Sequence, residues 1–163
     1  MQILTIEKKQ NEKFLRRATR PFDFSKHSQK EIRELVKMMR RIMKAAEGVG
    51  LSANQLGLDF SLFVAQVENK FYAIFNPKIV KTVGEAEAAE EGCLSVPEKF
   101  GLVTRPEKIW LEGQGADGKK IKIKAWGFLA RVFQHEVDHL NGKLFIDQTR
   151  EIYEIKNRKN LKS

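Results

Sequence analysis

The stretch His135-Glu136-Val137-Asp138-His139 decides how this chain is read. On a helix of 3.6 residues per turn it sets two imidazoles one turn apart on a single face, the geometry of two metal ligands. Glu136 lies between them and projects from nearly the same side. It can hold a water beside a bound metal without itself ligating, the arrangement that supports hydrolysis at neutral pH. The chain has only 3 histidines, and two of them are here. Around them Phe128, Leu129, Val132, Phe133, Val137 and Leu140 form an apolar stripe, so the histidine helix is predicted to lie buried against a sheet.

Two imidazoles hold a metal weakly, and a catalytic site ordinarily has three protein ligands with one position left open. Continuing the motif gives the metzincin spacing as far as Gly142 but places Phe145 where that pattern needs histidine. Glu151 or Glu154 would imitate a thermolysin-type site, yet both lie in a charged stretch that reads as an exposed terminal helix. His27 precedes a long helix and reads as a surface or capping residue. Cys93, the only cysteine, in Glu91-Gly92-Cys93-Leu94-Ser95-Val96-Pro97, is the leading candidate. A thiolate is a soft donor that suits Fe(II) or Zn(II).

Upstream, Ser28-Gln29-Lys30-Glu31 has the form of a capping box and precedes Ile32, Leu35, Val36, Met39, Ile42, Met43 and Ala46 at helical spacing. Gly48 and Gly50 stop this amphipathic helix. The runs 61–67 and 71–75 then flank Glu68-Asn69 as a hairpin, and Ile109 with Leu111 and Ile121 with Ile123 flank a turn at Ala116-Asp117-Gly118 as a second. Strands followed by a helix across them give an α+β domain: antiparallel sheets packed around a central metal-binding helix, with a long N-terminal helix and a C-terminal helix.

At 163 residues with 42% hydrophobic content, the chain suits one domain with one core of ordinary size. No window approaches the roughly 18–20 apolar residues of a membrane span, and the N-terminus lacks the apolar run of a signal peptide. A single cysteine excludes an internal disulfide and fits a reducing, cytoplasmic setting. The net charge of +9 is concentrated at the two ends, with an acidic middle. Such a surface favours polyanionic partners, although no nucleic-acid-reading motif accompanies it.

Three segments, Gly48-Val49-Gly50-Leu51-Ser52-Ala53-Asn54-Gln55, Glu91-Gly92-Cys93-Leu94-Ser95 and Gln134-His135-Glu136-Val137-Asp138-His139-Leu140, stand in the order and close to the spacing of the three signature motifs of peptide deformylases. The resemblance covers about residues 3–148, and the short path from Gln55 to Glu91 resembles the bacterial type without the insertion of some Gram-positive members.

The resemblance implies removal of the formyl group from N-terminal formyl-methionine of nascent polypeptides, releasing formate. It implies one divalent ion on Cys93, His135 and His139, Fe(II) in the native enzyme, with Zn(II), Ni(II) or Co(II) possible in preparations. It makes Glu136 the general base and then acid, and it assigns the oxyanion to the Gln55 side-chain amide and the Leu94 backbone N–H. Val49, Phe128 and Val132 with the stem of His135 would hold the methionine side chain, and Val49, Gly50 and Gly92 would pair with the peptide backbone.

The basic stretch 150–163, with Arg150, Lys156, Arg158, Lys159 and Lys162, resembles the tail or helix with which family members dock on the ribosome near the exit tunnel. A cytoplasmic monomer with no membrane partner is the expectation. Asp138 points away from the ligand face and is expected to pair with Arg105, while Glu47 or Glu91 is expected to orient a ligating imidazole. Two departures stand out: Ser52-Ala53 occupies the place of two alanines, so the added hydroxyl needs a partner, and Phe100 stands where some members carry arginine. The rival readings are a metallopeptidase acting on unformylated peptides and a silent ribosome-binding homologue. Glu136 argues against the second, because metal binding alone has no use for that carboxylate.

Overall fold

The computed structural model describes residues 1–155. Three α-helices, α1 (Lys9–Leu15), α2 (Gln29–Ala45) and α3 (Gly127–Leu140), accompany six strands. The strands are β1 (Gly50–Ser52), β2 (Leu62–Val67), β3 (Lys70–Cys93), β4 (Val96–Gln114), β5 (Lys120–Trp126) and β6 (Ile152–Glu154). They form one antiparallel sheet in the order β1-β2-β3-β4-β5, with β6 pairing to β4. This is the α+β architecture read from the sequence.

The predicted local signals are present. Ser28 Oγ accepts from the Glu31 N–H, and the Glu31 carboxylate accepts from the Ser28 N–H, so α2 starts on a complete capping box. Glu68 and Asn69 both take positive φ, 49° and 64°, as a two-residue turn between β2 and β3 requires. β5 runs directly into α3, and Gly127 makes the bend at φ 60°.

β2 is buried on both faces, and this sets the layers. Leu62 and Val64 meet Ile32, Met39 and Met43 of α2, while Phe63, Ala65 and Val67 meet Phe133, Val137 and Leu140 of α3. The sheet there is a layer between two helices. Phe133 is the centre of the α3 contact, with its ring 5.4 Å from Phe63 and 5.1 Å edge-on from Tyr72. Each such fully buried side chain contributes about 1.5–3 kcal/mol. A third cluster of Val96, Val103, Leu144 and Phe145 closes the end of the β3–β4 hairpin nearest Cys93.

Of the stretch read as a basic tail or helix, 152–154 is extended and pairs with Lys99–Gly101 of β4. Ile152 and Tyr153 have strand propensity, and the β4 edge offers them open backbone groups. Residues 156–163 lie outside the described residues. Among the described residues no helix is long and apolar enough to cross a membrane.

Candidate metal centre and active site

Two separate elements deliver the three predicted ligands to one point. Cys93 ends β3, and His135 and His139 lie one turn apart on α3. Their ligand atoms all fall within 4.8 Å of one another. Cys93 Sγ is 3.1 Å from His139 Nε2, and the two Nε2 atoms are 3.2 Å apart. Three donor atoms so close, with nothing between them that could share three lone pairs, fit a single cation. Glu151 and Glu154 are not part of this cluster, and His27 stacks on Phe22 with ring centroids 4.7 Å apart.

The surroundings fix the state of each ligand. His135 Nδ1 is 3.0 Å from Glu91 Oε2, which directs the proton to Nδ1 and leaves Nε2 as the donor toward the site. Of the two candidates for orienting an imidazole, Glu91 does so. Glu47 instead lines the mouth of the cavity. Burial pushes the Cys93 thiol up, but the His139 and His135 imidazoles outweigh it and leave its pKa lowered. Burial acts the opposite way on His135, where Cys93 and Glu91 outweigh it and raise the imidazole well above 6.5. The site is therefore arranged around a thiolate facing positive charge, the role a bound cation fills.

Glu91 is itself the centre of an ion network. Its Oε1 accepts from Arg105 Nε at 2.5 Å and Arg131 Nη1 at 2.8 Å, and its Oε2 accepts from Arg105 Nη2 at 2.9 Å. Burial raises its pKa, but the Arg105 and His135 contacts prevail and hold it at about 2. Arg105 also reaches Asp138 at 2.8 Å, the expected structural pair. Arg131 had no part in the sequence reading. It stands four residues before His135 and eight before His139, on the ligand face, and that spacing was the available signal.

Glu136 is 3% exposed, and its carboxylate has one hydroxyl donor: Ser52 Oγ, 2.6 Å from Oε2. The hydroxyl that replaces an alanine of the motif thus has its partner. Burial is the main cause raising the Glu136 pKa, against the lowering pull of His135 and His139. A Cβ built on Gly50 would overlap the Glu136 carboxylate, so only glycine lets β1 run this close.

Gln55 lies in the 3-10 turn Ala53–Leu56 that follows β1. The Ser52 N–H donates to its Oε1 at 2.9 Å, which points its Nε2 toward Ser95 Oγ at 3.0 Å and Cys93 Sγ at 3.6 Å. The amide is therefore a held donor beside the ligand cluster. Asn54 Nδ2 donates to the His139 carbonyl and ties the same turn to α3.

A cavity of about 400 Å³ opens onto these groups. Val49, Gly50, Gln55, Gly92, Cys93, Leu94, Phe128, Val132, His135 and Glu136 line it together with Phe100 and Arg131, while His139, the remaining sequence candidate, is not among the lining residues and is buried at 1% exposure. Val49 and Phe128 are 46% and 57% exposed, so they form its rim rather than core, whereas Val132 lies deep at 5%.

A Cys–His–His centre with a buried carboxylate beside it, carried on a helix that packs over an antiparallel sheet, defines a metallohydrolase. The model of the polypeptide deformylase family matches residues 2–154, and the chain belongs to that family. It is 45% identical over 138 residues to a peptide deformylase of Syntrophobacter fumaroxidans, covering 79% of this chain and 81% of that one. The peptide deformylase structure from Thermotoga maritima superposes with a TM-score of 0.82 at 36% identity, over 91% of this chain and 96% of that one. A class I type b peptide deformylase of Acinetobacter baumannii, crystallised with Met-Ala-Ser bound, gives 0.84 at 27% identity over 91% and 97%.

Proposed function

We propose that this chain hydrolyses the formyl amide of N-terminal formyl-methionine on nascent polypeptides, releasing formate and a free amine. The observation that carries it is the meeting of Cys93, His135 and His139 beside Glu136, where a cavity of about 400 Å³ opens onto the cluster. A divalent cation held by those three residues supplies Lewis acidity toward water and the formyl oxygen. The thiolate in the set favours Fe(II), with Zn(II), Ni(II) or Co(II) able to take its place in preparations.

Glu136 takes a proton from the attacking water and returns it to the departing amine nitrogen. Gln55 Nε2 and the Leu94 backbone N–H donate to the oxygen that gains charge as the formyl carbon becomes tetrahedral. Val49, Phe128, Val132 and the stem of His135 receive the methionine side chain. The backbones of Val49, Gly50 and Gly92 pair with the substrate as an added strand.

The chain acts in the cytoplasm as a monomer, and its basic stretch 150–163 docks on the ribosome near the exit tunnel, where Arg150, Lys156, Arg158, Lys159 and Lys162 meet ribosomal RNA. Protein purified anaerobically and loaded with Fe(II) is expected to release formate from formyl-Met-Ala-Ser and to leave Met-Ala-Ser intact. Cleavage of Met-Ala-Ser would make it a peptidase, and inertness toward both would make it a silent homologue. Truncation after Gln148 is expected to weaken ribosome binding in a salt-dependent way. Unchanged binding would remove the docking role.

A further inference from the structure

Where β3, β4 and β5 lie side by side, the inner face packs on α3 through Ile109, Leu111 and Ala125. The pleat sends the intervening residues outward in three rows across the strands: Lys78–Glu112–Lys122, Lys81–Trp110–Lys124 and Val83–Lys108–Trp126. A fourth row adds Lys120 opposite Gln114. These paired positions carry six lysines, and Glu112, 3.1 Å from Lys122, is the only carboxylate among them. The chain has 2 tryptophans, and both stand on this face, 38% and 67% exposed, although tryptophan is on average a well-buried residue.

The arrangement is built rather than merely solvated. An ammonium from each neighbouring strand lies over the Trp110 ring, Lys81 at 4.5 Å and Lys124 at 4.6 Å. The indole holds two cations in place across β4, where like charges side by side would repel. Trp126, at the end of β5, is the more exposed of the pair and stands directly opposite Lys108.

We infer that this face binds single-stranded RNA, its lysines on the phosphates and Trp126 stacked on a base. Charge complementarity calls for a polyanion. An exposed indole among lysines fits a strand whose bases are unstacked rather than a closed duplex. A lipid surface fits less well, because Val83 is the only aliphatic residue in the rows and the Trp110 ring is engaged by ammonium groups instead of being free to insert. The choice of RNA over DNA rests on the proposed action on nascent chains. The face itself is independent of the metal centre.

The test uses the full chain, tail included, with a fluorescein-labelled 15-nucleotide oligouridine and, separately, phosphatidylglycerol vesicles. Oligouridine binding is expected, with the six lysines of this face contributing roughly 4 to its salt slope at about 0.7 each. The combined Lys81→Gln, Lys108→Gln and Lys124→Gln variant is expected to lower that slope by about 2. Trp126→Ala is expected to weaken binding about tenfold, with Trp126→Phe restoring most of the loss. Tryptophan fluorescence is expected to quench on binding in Trp110→Phe but not in Trp126→Phe. Formate release from a short formyl peptide should be unchanged in every variant, which reports intact folding and tests the catalytic reading separately. A salt slope unaltered in the triple variant would place any RNA binding elsewhere and overturn the inference. So would binding of vesicles, lost in the same variants, without binding of oligouridine.

Discussion

Replacing Glu91 by glutamine removes one charge from a network in which four donors converge on two oxygens. Arg105, 4% exposed, would keep only Asp138 as an anionic partner, and the new amide NH2 would face groups that are themselves donors. Removing one partner of a buried ion pair costs about 3–5 kcal/mol, because the other charge stays behind uncompensated. The depression of the Glu91 carboxyl from 4.5 to about 2 gives a similar figure, about 3 kcal/mol. Its sign is that of a lowered carboxyl pKa: the contribution is full above the unfolded value near 4.5 and is lost as pH falls through 2.

The assay is guanidinium unfolding of metal-free protein at pH 7, so that metal linkage does not enter. A loss near 3 kcal/mol should shift the midpoint by about 1 M, with the slope little changed. The parent's advantage over Glu91→Gln should shrink as pH is lowered from 5 toward 2. Because His135 also loses its Nδ1 partner, chelator competition should show metal affinity reduced about 10–100-fold. A metal-free variant within 1 kcal/mol of the parent would refute the reasoning, since it would mean that Arg105 is paired or hydrated without Glu91.

The remaining predictions concern the Glu136 carboxylate that lines the cavity. Glu136→Ala should retain metal and stability near the parent but lose turnover, measured as bound metal per chain against formate release. Ser52→Ala removes a hydrogen bond to a buried carboxylate and should lower stability by about 1.5–3 kcal/mol, read by guanidinium unfolding, while kcat and KM stay near the parent values because alanine is the residue the family motif carries there. A fall in kcat would show that Glu136 does not hold its position without the hydroxyl. Gly50→Ala forces Glu136 aside and should lower kcat about 100-fold, since a shift of about 1 Å at a reacting group has that cost. A fully active Gly50→Ala protein would show that β1 can retreat from the site.

What could be read from the sequence depended on how local the signal was. The capping box of α2, the Glu68-Asn69 turn and the Ile121/Ile123 alternation of β5 each lie within a few residues, and each is found where the pattern put it. The far length of β3 was not legible. From Val80 to Ala88 it is exposed on both sides, so no period-2 burial marks it, and its register against β4 shifts at Phe75/Lys78, Ile79/Lys81 and Val83/Ala86. Its backbone pairing, which no side-chain pattern announces, carries Cys93 to α3. The same distance hid the Ser52 contact. The sequence showed a hydroxyl needing a partner, but the partner is 84 residues away. Arg131 was hidden for another reason: a charged residue beside an apolar stripe reads as solvated until the fold places an acid against it.

Two glutamates flank the same imidazole region, and their surroundings give them opposite characters. Glu91 receives two arginines and a histidine N–H, so it remains ionised, and its lone pairs are occupied in holding other side chains. Glu136 is buried with a single hydroxyl donor and no arginine, and its pKa rises. A carboxylate that must accept and return a proton needs a proton affinity nearer that of its reaction partners, whereas one that orients a ligand needs never to protonate. Interchanging the two environments would defeat both roles: an arginine beside Glu136 would hold off the proton, and a Glu91 without arginines would release Nδ1 of His135. The position of Arg105 and Arg131, both on the Glu91 side, is therefore as much a part of the site's chemistry as the ligands.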